Sequence, residues 1–225
     1  MSLYFDTTYP KDEKNEYPQE YVNYMYNRFF KKGGYILDAG CANGKFLSLL
    51  KNKNLTRYGI DLREEKLVDK SIIFKQGDLN SRLPYPEDFF DFVYTKSVIS
   101  MLWDTSFFFQ EVRRILKPGG KFICLIPDWK SNYKWYWDDF TYSRAFTRKG
   151  LREGLSINGF KNEDCEYFYQ LPFVWENPKL IWLCKLIAEV VPDRFKFKDR
   201  EQRNTKDRKL VRFSKERMLL AYGEK

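Results

Sequence analysis

The stretch YILDAGCANGKF, residues 35–46, does most to limit how this 225-residue chain can fold. An apolar run of strand length ends near Asp38, passes through Gly40 and Gly44, and re-emerges as a second apolar segment. A buried strand that hands over to a helix through so bare a turn is the opening unit of a parallel sheet covered by helices. The rest of the chain repeats the alternation. Strand patterns are read at RYGID (57–61), SIIFKQ (71–76), FDFVYT (90–95), KFICLIP (121–127), NEDCEYFYQL (162–171) and RMLLAYGE (217–224). Helical spacing is read at YPQEYVNYMYNRFF (17–30), from near Gly44, at TSFFFQEVRRIL (105–116, closed by KPGG) and behind a Thr147 cap, while REEKLVD (63–69) reads as a helical turn or two. Strands separated by helix-length segments give an α/β class, a parallel sheet with helices on both faces.

Composition removes several kinds of chemistry. The chain has no histidine, which excludes Ser-His and Cys-His nucleophiles and every histidine-ligated metal. Cys41, Cys124, Cys165 and Cys184 lie far apart without a CxxC pair and read as free thiols. The N-terminal residues carry acids where a signal peptide would need an apolar segment. The longest apolar stretch, LIWLCKLIAEVV (180–191), contains Lys185 and Glu189 and is too short to span a bilayer. The expectation is a cytoplasmic protein of one domain. Of the net charge of +9, a large part lies in 192–217, where eleven Lys/Arg face five Asp/Glu. That run is either a solvated loop or an anion-facing patch for a phosphate-bearing substrate or an acidic membrane surface.

In an open parallel sheet, ligands sit beyond the carboxyl ends of the strands, where the first strand feeds the first helix. The turn at 38–44 occupies that place, and its glycines let the backbone approach a ligand closely. Asp61 ends the second strand, 23 residues after Asp38, where a carboxylate accepts from ribose hydroxyls. Asp78, in KQGDLN, ends the third strand and can hold an adenine amino group. The cradle suits an adenosine. The spacing Gly40-Cys41-Ala42-Asn43-Gly44 is not the G-x-G-x-x-G of a pyrophosphate site, and no GK[ST] follows for a triphosphate.

Taken together, ILDAGCANGKF, YGIDL, QGDLN, DFFDFVYTKSVISML and EVRRILKPGGKF resemble the successive motifs of class I S-adenosylmethionine-dependent methyltransferases over roughly residues 35–127. Ala42 departs from the pattern, since many members carry glycine there. The resemblance implies a Rossmann-like doubly wound, seven-stranded, mostly parallel sheet with helices on both faces and the last strand antiparallel. It implies one domain over 1–225, with 1–32 as a helical cap over the cofactor and 128–146 and 172–210 as acceptor-side insertions. It implies that Asp38 and the turn Gly40, Cys41, Ala42, Asn43, Gly44 face the methionine part of S-adenosylmethionine. Asp61 would take the ribose hydroxyls, Leu62 would pack on the adenine, and Asp78 with Leu79 would read its edge. Tyr94, Thr95 and Lys96 would lie beside the sulfonium.

The acceptor side is expected from PDWKSNYKWYWDDFTYSRAFTRKGL (127–151), which holds Trp129, Trp135 and Trp137 with Asp128, Asp138 and Asp139. Such aromatics stack on a sugar ring while carboxylates bind its hydroxyls; the other reading is a loop that covers the sheet end. The stretch also resembles a W-D-D-[FY]-T-H region of methyltransferases of surface-polysaccharide pathways, with Tyr142 where that pattern has histidine. Asp138 or Asp139 is the expected base or acceptor anchor. No metal is expected, although Asp128, Asp138 and Asp139 could together offer oxygen ligands to Mg²⁺. Nucleic acid is disfavoured as acceptor: FDFVYT stands where an adenine-amine enzyme would have [DN]PP[YF], and no Pro-Cys nucleophile is present. An RNA or protein methyltransferase and a non-catalytic partner subunit are the alternatives. The helix expected at 177–191 is apolar around most of its girth, which suits burial against the domain or a second subunit, or else a lid or membrane-surface helix.

Overall fold

A computed structural model describes residues 19–64, 66–195 and 209–225. In chain order the elements are α1 (Gln19–Met25), continued by a π turn (Tyr26–Phe30), β1 (Gly34–Ala39), α2 (Lys45–Ser48), β2 (Leu55–Asp61), β3 (Ile73–Gln76) and β4 (Phe90–Lys96). A 3₁₀ turn (Ile99–Met101) leads to α3 (Thr105–Ile115), β5 (Leu116–Pro127), α4 (Trp129–Asn132), a second 3₁₀ turn (Tyr136–Asp138), α5 (Arg148–Ile157) and β6 (Lys161–Phe168). The chain ends with α6 (Pro172–Glu176), α7 (Ile181–Val190), α8 (Lys209–Lys215) and β7 (Met218–Glu224).

The strands form one seven-stranded sheet in the order β3-β2-β1-β4-β5-β7-β6. The first five pair in parallel, and β7 runs antiparallel to both of its neighbours. This is the expected doubly wound architecture. Its central strands are apolar on both sides because both faces are covered. One face packs Leu37, Val93 and Phe122 beneath Phe108 and Val112 of α3 and Leu151 and Leu155 of α5. The other packs Ile36, Phe92, Tyr94 and Ile123 beneath Tyr21, Val22, Met25 and Phe46. Local signals set the helix starts: the Asp104 carboxylate accepts from Phe107 N–H at 2.9 Å, and Thr147 Oγ1 accepts from Gly150 N–H at 3.2 Å. All four cysteines are buried, and none forms a disulfide.

Two expectations are corrected. The segment 63–69 is not helical in its described residues; Val68 N–H donates to Asn43 O at 3.0 Å, so it is tied to the glycine turn instead of folding on itself. KPGG does not lie between helix and strand but inside β5, where the pairing with β4 shifts between Phe90 and Phe92. The helix after Gly44 lasts only through Lys45–Ser48. In α7 only Cys184 is buried, while Trp182, Leu186 and Val190, spaced four apart, are 60%, 47% and 69% exposed. Residues 1–18 of the expected N-terminal cap and 196–208 of the basic run lie outside the described residues. Among the described residues no helix is long and apolar enough to cross a membrane.

The crossover from β3 to β4 is held by two residues of α3. Leu83 N–H donates to Glu111 Oε2 at 2.8 Å, and the Arg114 guanidinium donates to Glu111, to Tyr85 O at 2.9 Å and to Leu83 O at 3.0 Å. The Arg114 guanidinium beside it keeps the Glu111 carboxyl below the ordinary glutamate range. Removing the guanidinium strands two carbonyls and a largely buried carboxylate. Arg114→Ala should therefore lower the unfolding free energy by about 2–4 kcal/mol in urea titration. Lys149→Ala, at an exposed pair on α5, should leave the midpoint where it was.

Candidate functional site

The chain leaves β1 through Gly40, at φ +84°, and bends again at Ala42 (φ +45°) and Gly44 (φ +75°). A Cβ on Gly40 would stand 2.4 Å from Val98 Cγ2, and one on Gly44 2.8 Å from Ile72 Cδ1. Left-handed backbone and close packing both demand glycine there. Ala42 takes the same backbone region at a cost of roughly 1 kcal/mol, and Asp61 holds it in place. Ala42 N–H donates to Asp61 Oδ2 at 2.9 Å, and Arg63 N–H donates to Asp61 Oδ1 at 3.2 Å. Each of those oxygens retains a second lone pair for a hydroxyl. Cys41 is buried against β2, where a Cβ on Gly59 would meet its sulfur at 2.7 Å, and Asn43 Oδ1 accepts from Lys45 N–H at 3.2 Å. These two side chains shape the turn.

Beyond Asp61, Leu62 is 42% exposed and offers an apolar surface. Asp78 is exposed past the end of β3, and its Oδ1 accepts from Asn80 N–H and Nδ2 at 2.8 and 3.0 Å. The Leu79 side chain is buried in the core, so only its backbone is available to a ligand.

Strand alternation decides what else reaches this edge. Asp38 lies opposite Tyr94 in the β1–β4 register, and Lys96 follows two residues later on the same face. Asp38 is only 4% exposed and has no hydrogen-bond partner among the described residues. Burial pushes its carboxyl up to about 8, Asp61 adds to the rise, and Lys96 opposes it. Burial pushes the Lys96 ammonium down to about 8 against the pull of Asp38. Tyr94 is committed elsewhere: its hydroxyl shares a 2.6 Å hydrogen bond with Tyr21, and its ring stacks on Phe46 at 4.2 Å. Thr95 faces the opposite side and donates to Ala39 O at 2.7 Å. Of the three residues expected beside the sulfonium, Lys96 alone brings its side chain to the cradle. Tyr21, whose ring lies 5.3 Å from Lys96 Nζ, was visible in the sequence only as one apolar position of a helix.

The loop expected on the acceptor side is anchored next to this edge. Ser143 and Arg144 donate their N–H groups to Ser100 O at 2.7 and 3.2 Å, and Tyr136 OH meets Ser100 Oγ at 2.7 Å. Ser100 belongs to the turn just past β4. Trp135, Trp137 and Phe140 are 45%, 55% and 89% exposed on the loop. Its three acids are not equivalent. Asp128 is fully buried, caps Lys130 N–H and pairs with Arg217 at 3.1 Å. Asp139 Oδ1 accepts from Thr141 N–H and Oγ1 at 3.0 and 2.6 Å, whereas Asp138 is exposed. They do not converge, and no group of three His, Cys, Asp or Glu among the described residues could hold a metal. A separate groove of about 310 Å³, lined by Tyr133, Lys134, Trp135, Lys185 and Arg217, opens where β6 ends and β7 begins.

The donors and acceptors of the cradle fit S-adenosylmethionine. Asp38 is a buried carboxyl without a hydrogen bond among the described residues and could take a cationic amino group, the glycine turn leaves its backbone open to close approach, and Asp61 has lone pairs for a diol. Comparison with known proteins agrees. Residues 37–124 match a family described as "Methyltransferase domain". A probable S-adenosylmethionine-dependent methyltransferase of Mycolicibacterium smegmatis is 30% identical over 97 residues, 41% of this chain and 38% of the relative. A sterol 24-C-methyltransferase of Gibberella zeae is 34% identical over 145 residues, 59% of this chain and 36% of the relative. The chain thus spans well under half the length of these two relatives. The crystal structure of a SAM-dependent methyltransferase from Archaeoglobus fulgidus superposes with a TM-score of 0.64 at 17% identity, over 100% of this chain and 99% of that one. Residues 37–124, which hold β1 to β4 and most of β5, thus match a methyltransferase domain, and the seven-stranded sheet has the fold of a solved SAM-dependent methyltransferase.

Proposed function

We propose that this chain transfers the methyl group of S-adenosylmethionine to an oxygen of a small-molecule or glycan acceptor, a sugar hydroxyl or phosphate-type oxygen such as surface-polysaccharide assembly would present. The observation that carries the cofactor half is Asp38, a buried carboxyl without a hydrogen bond among the described residues, beside the glycine turn. The cofactor, when bound, supplies a methyl carbon already activated by its sulfonium. The chain's own work is then orientation, a contribution worth ~7–11 kcal/mol when reactants are well aligned. Asp38 binds the cationic amino group and ionises as it does so. Asp61 holds the ribose hydroxyls while keeping the turn in place, and Asp78 takes the adenine edge.

The acceptor half rests on the loop pinned to Ser100. Its exposed aromatic surface beside the end of β4 suits a sugar ring, and Asp138, exposed on that loop, is the anchor for an acceptor hydroxyl. Asp139 contributes by closing the turn onto Thr141.

Two measurements check these roles. Asp61→Ala removes the hydroxyl acceptor together with the clamp on Ala42, and should weaken S-adenosylhomocysteine binding at least about tenfold in calorimetry; an unchanged Kd contradicts the assignment. With methyl-labelled cofactor and fractionated extract of the source cells, label should enter a glycolipid, polysaccharide or nucleotide-sugar fraction. Asp138→Asn should slow that transfer about a hundredfold with cofactor affinity intact. Label in RNA or protein would refute the glycan reading.

A further inference from the structure

The large apolar side chains that the fold leaves exposed are not evenly spread. Tyr35, Ile73 and Ile157 come one to an element. Tyr133, Trp135, Trp137 and Phe140 crowd the loop after α4, and Trp182, Leu186 and Val190 form one stripe of α7. The loop and the helix are neighbours. Lys134 Nζ pairs with Asp193, just past α7, at 2.8 Å, and the groove of about 310 Å³ has Tyr133 and Trp135 on its loop side and Lys185, Ala188 and Glu189 on its helix side. The inner side of α7 is already used: Cys184 packs with Tyr169, Leu171 and Val174, and Lys215 Nζ donates to Ala188 O and Val191 O at 2.7 Å. Packing thus turns the stripe outward, and with the loop it makes an aromatic surface of the kind that marks an interaction site.

The charge around that surface is positive on balance. In 128–146 and 172–191, Lys130, Lys134, Arg144, Lys179 and Lys185 are exposed against Asp138, Glu176 and Glu189. The sequence 192–217 that follows adds eleven Lys/Arg to five Asp/Glu. Lys130, Lys179 and Lys185 are in no ion pair among the described residues, so their charges are open to a partner. Indole and phenol rings beside open ammonium groups suit the boundary between headgroups and acyl chains, where the rings sit at headgroup level and the lysines meet lipid phosphates. A second copy of the chain would set the same excess of cations against itself. We infer that the loop at 133–140 and the outer stripe of α7 together form a docking face for an anionic lipid bilayer. At 10 residues α7 reaches only about half-way across a bilayer core, so the helix lies in the headgroup layer and does not span it. The groove then opens at the lipid, on the carboxyl edge of the sheet where β5 ends and β7 begins.

The test is co-sedimentation of the full chain with vesicles of phosphatidylglycerol and phosphatidylcholine, against vesicles of phosphatidylcholine alone, with no cofactor present. The chain should bind the anionic vesicles and leave the neutral ones, and binding should weaken as salt is raised. Trp182→Ala with Leu186→Ala should weaken binding about tenfold through lost apolar burial. Lys179→Glu with Lys185→Glu should weaken it at least about tenfold through lost attraction. Ile157→Ser, at an exposed apolar position on α5, should leave it unchanged, and circular dichroism checks that every variant is folded. Binding to neither kind of vesicle, equal binding to both, or anionic binding that Trp182→Ala with Leu186→Ala leaves intact would overturn the docking face. So would a dimer of the vesicle-free chain that those two substitutions abolish, because the face would then belong to a second copy. Calorimetry with S-adenosylhomocysteine on the same preparation keeps the two readings apart. Cofactor binding without vesicle binding overturns the docking face alone, and vesicle binding without cofactor binding overturns the methyltransferase reading alone.

Discussion

The hydrogen bond from Ala42 N–H to the Asp61 carboxylate ties the ends of β1 and β2 together at the carboxyl edge of the sheet. It fixes a residue with a Cβ in the left-handed region, between two glycines that must be there for want of space. The same turn receives Val68 N–H, which draws in the segment between β2 and β3. One carboxylate therefore sets the shape of the cradle, holds its outer wall indirectly and keeps lone pairs for a ligand. Its loss would be felt as a change of shape as well as a missing contact.

The rest of the site is built on charges the fold suppresses. Asp38 and Lys96 are diagonal neighbours on one face of β1 and β4, and desolvation works against the charged form of each. A carboxyl held protonated near neutral pH costs the ligand-free chain stability, since the unfolded chain would ionise it. That cost is the mark of a group arranged for something the protein does not itself contain. The two groups are coupled: Lys96 opposes the rise at Asp38, and Asp38 opposes the fall at Lys96.

How much of this was legible in the sequence depends on how local each signal is. The seven strands and the Thr147 cap are set by short-range patterns and are found in the structure, with the acids at 38, 61 and 78 at or just past the ends of β1, β2 and β3. KPGG has the composition of a turn, yet pairing with β4 and the chain end draws it into β5. The segment 63–69 has helical composition but spends a backbone donor on Asn43 O, a contact no window of residues could reveal. Asp128 looked like a member of an acidic cluster until Arg217, 89 positions away, turned it inward. Tyr21 reads as one more apolar helix position, and only its partner Tyr94, 73 residues on, shows that it roofs Lys96. The sequence also could not tell which side of α7 stays open, because its apolar residues encircle the helix and burial covers only Cys184.

The central claim is that one cradle, bounded by Asp38, Asp61 and Lys96, receives the whole cofactor. A crystal structure of the chain with S-adenosylhomocysteine tests it most directly. The account predicts the ribose hydroxyls on Asp61, the homocysteine amino group on Asp38 and the thioether sulfur turned toward Lys96. Density for the ligand in the groove beside Arg217, or in the cradle with its sulfur turned away from Lys96, would contradict it.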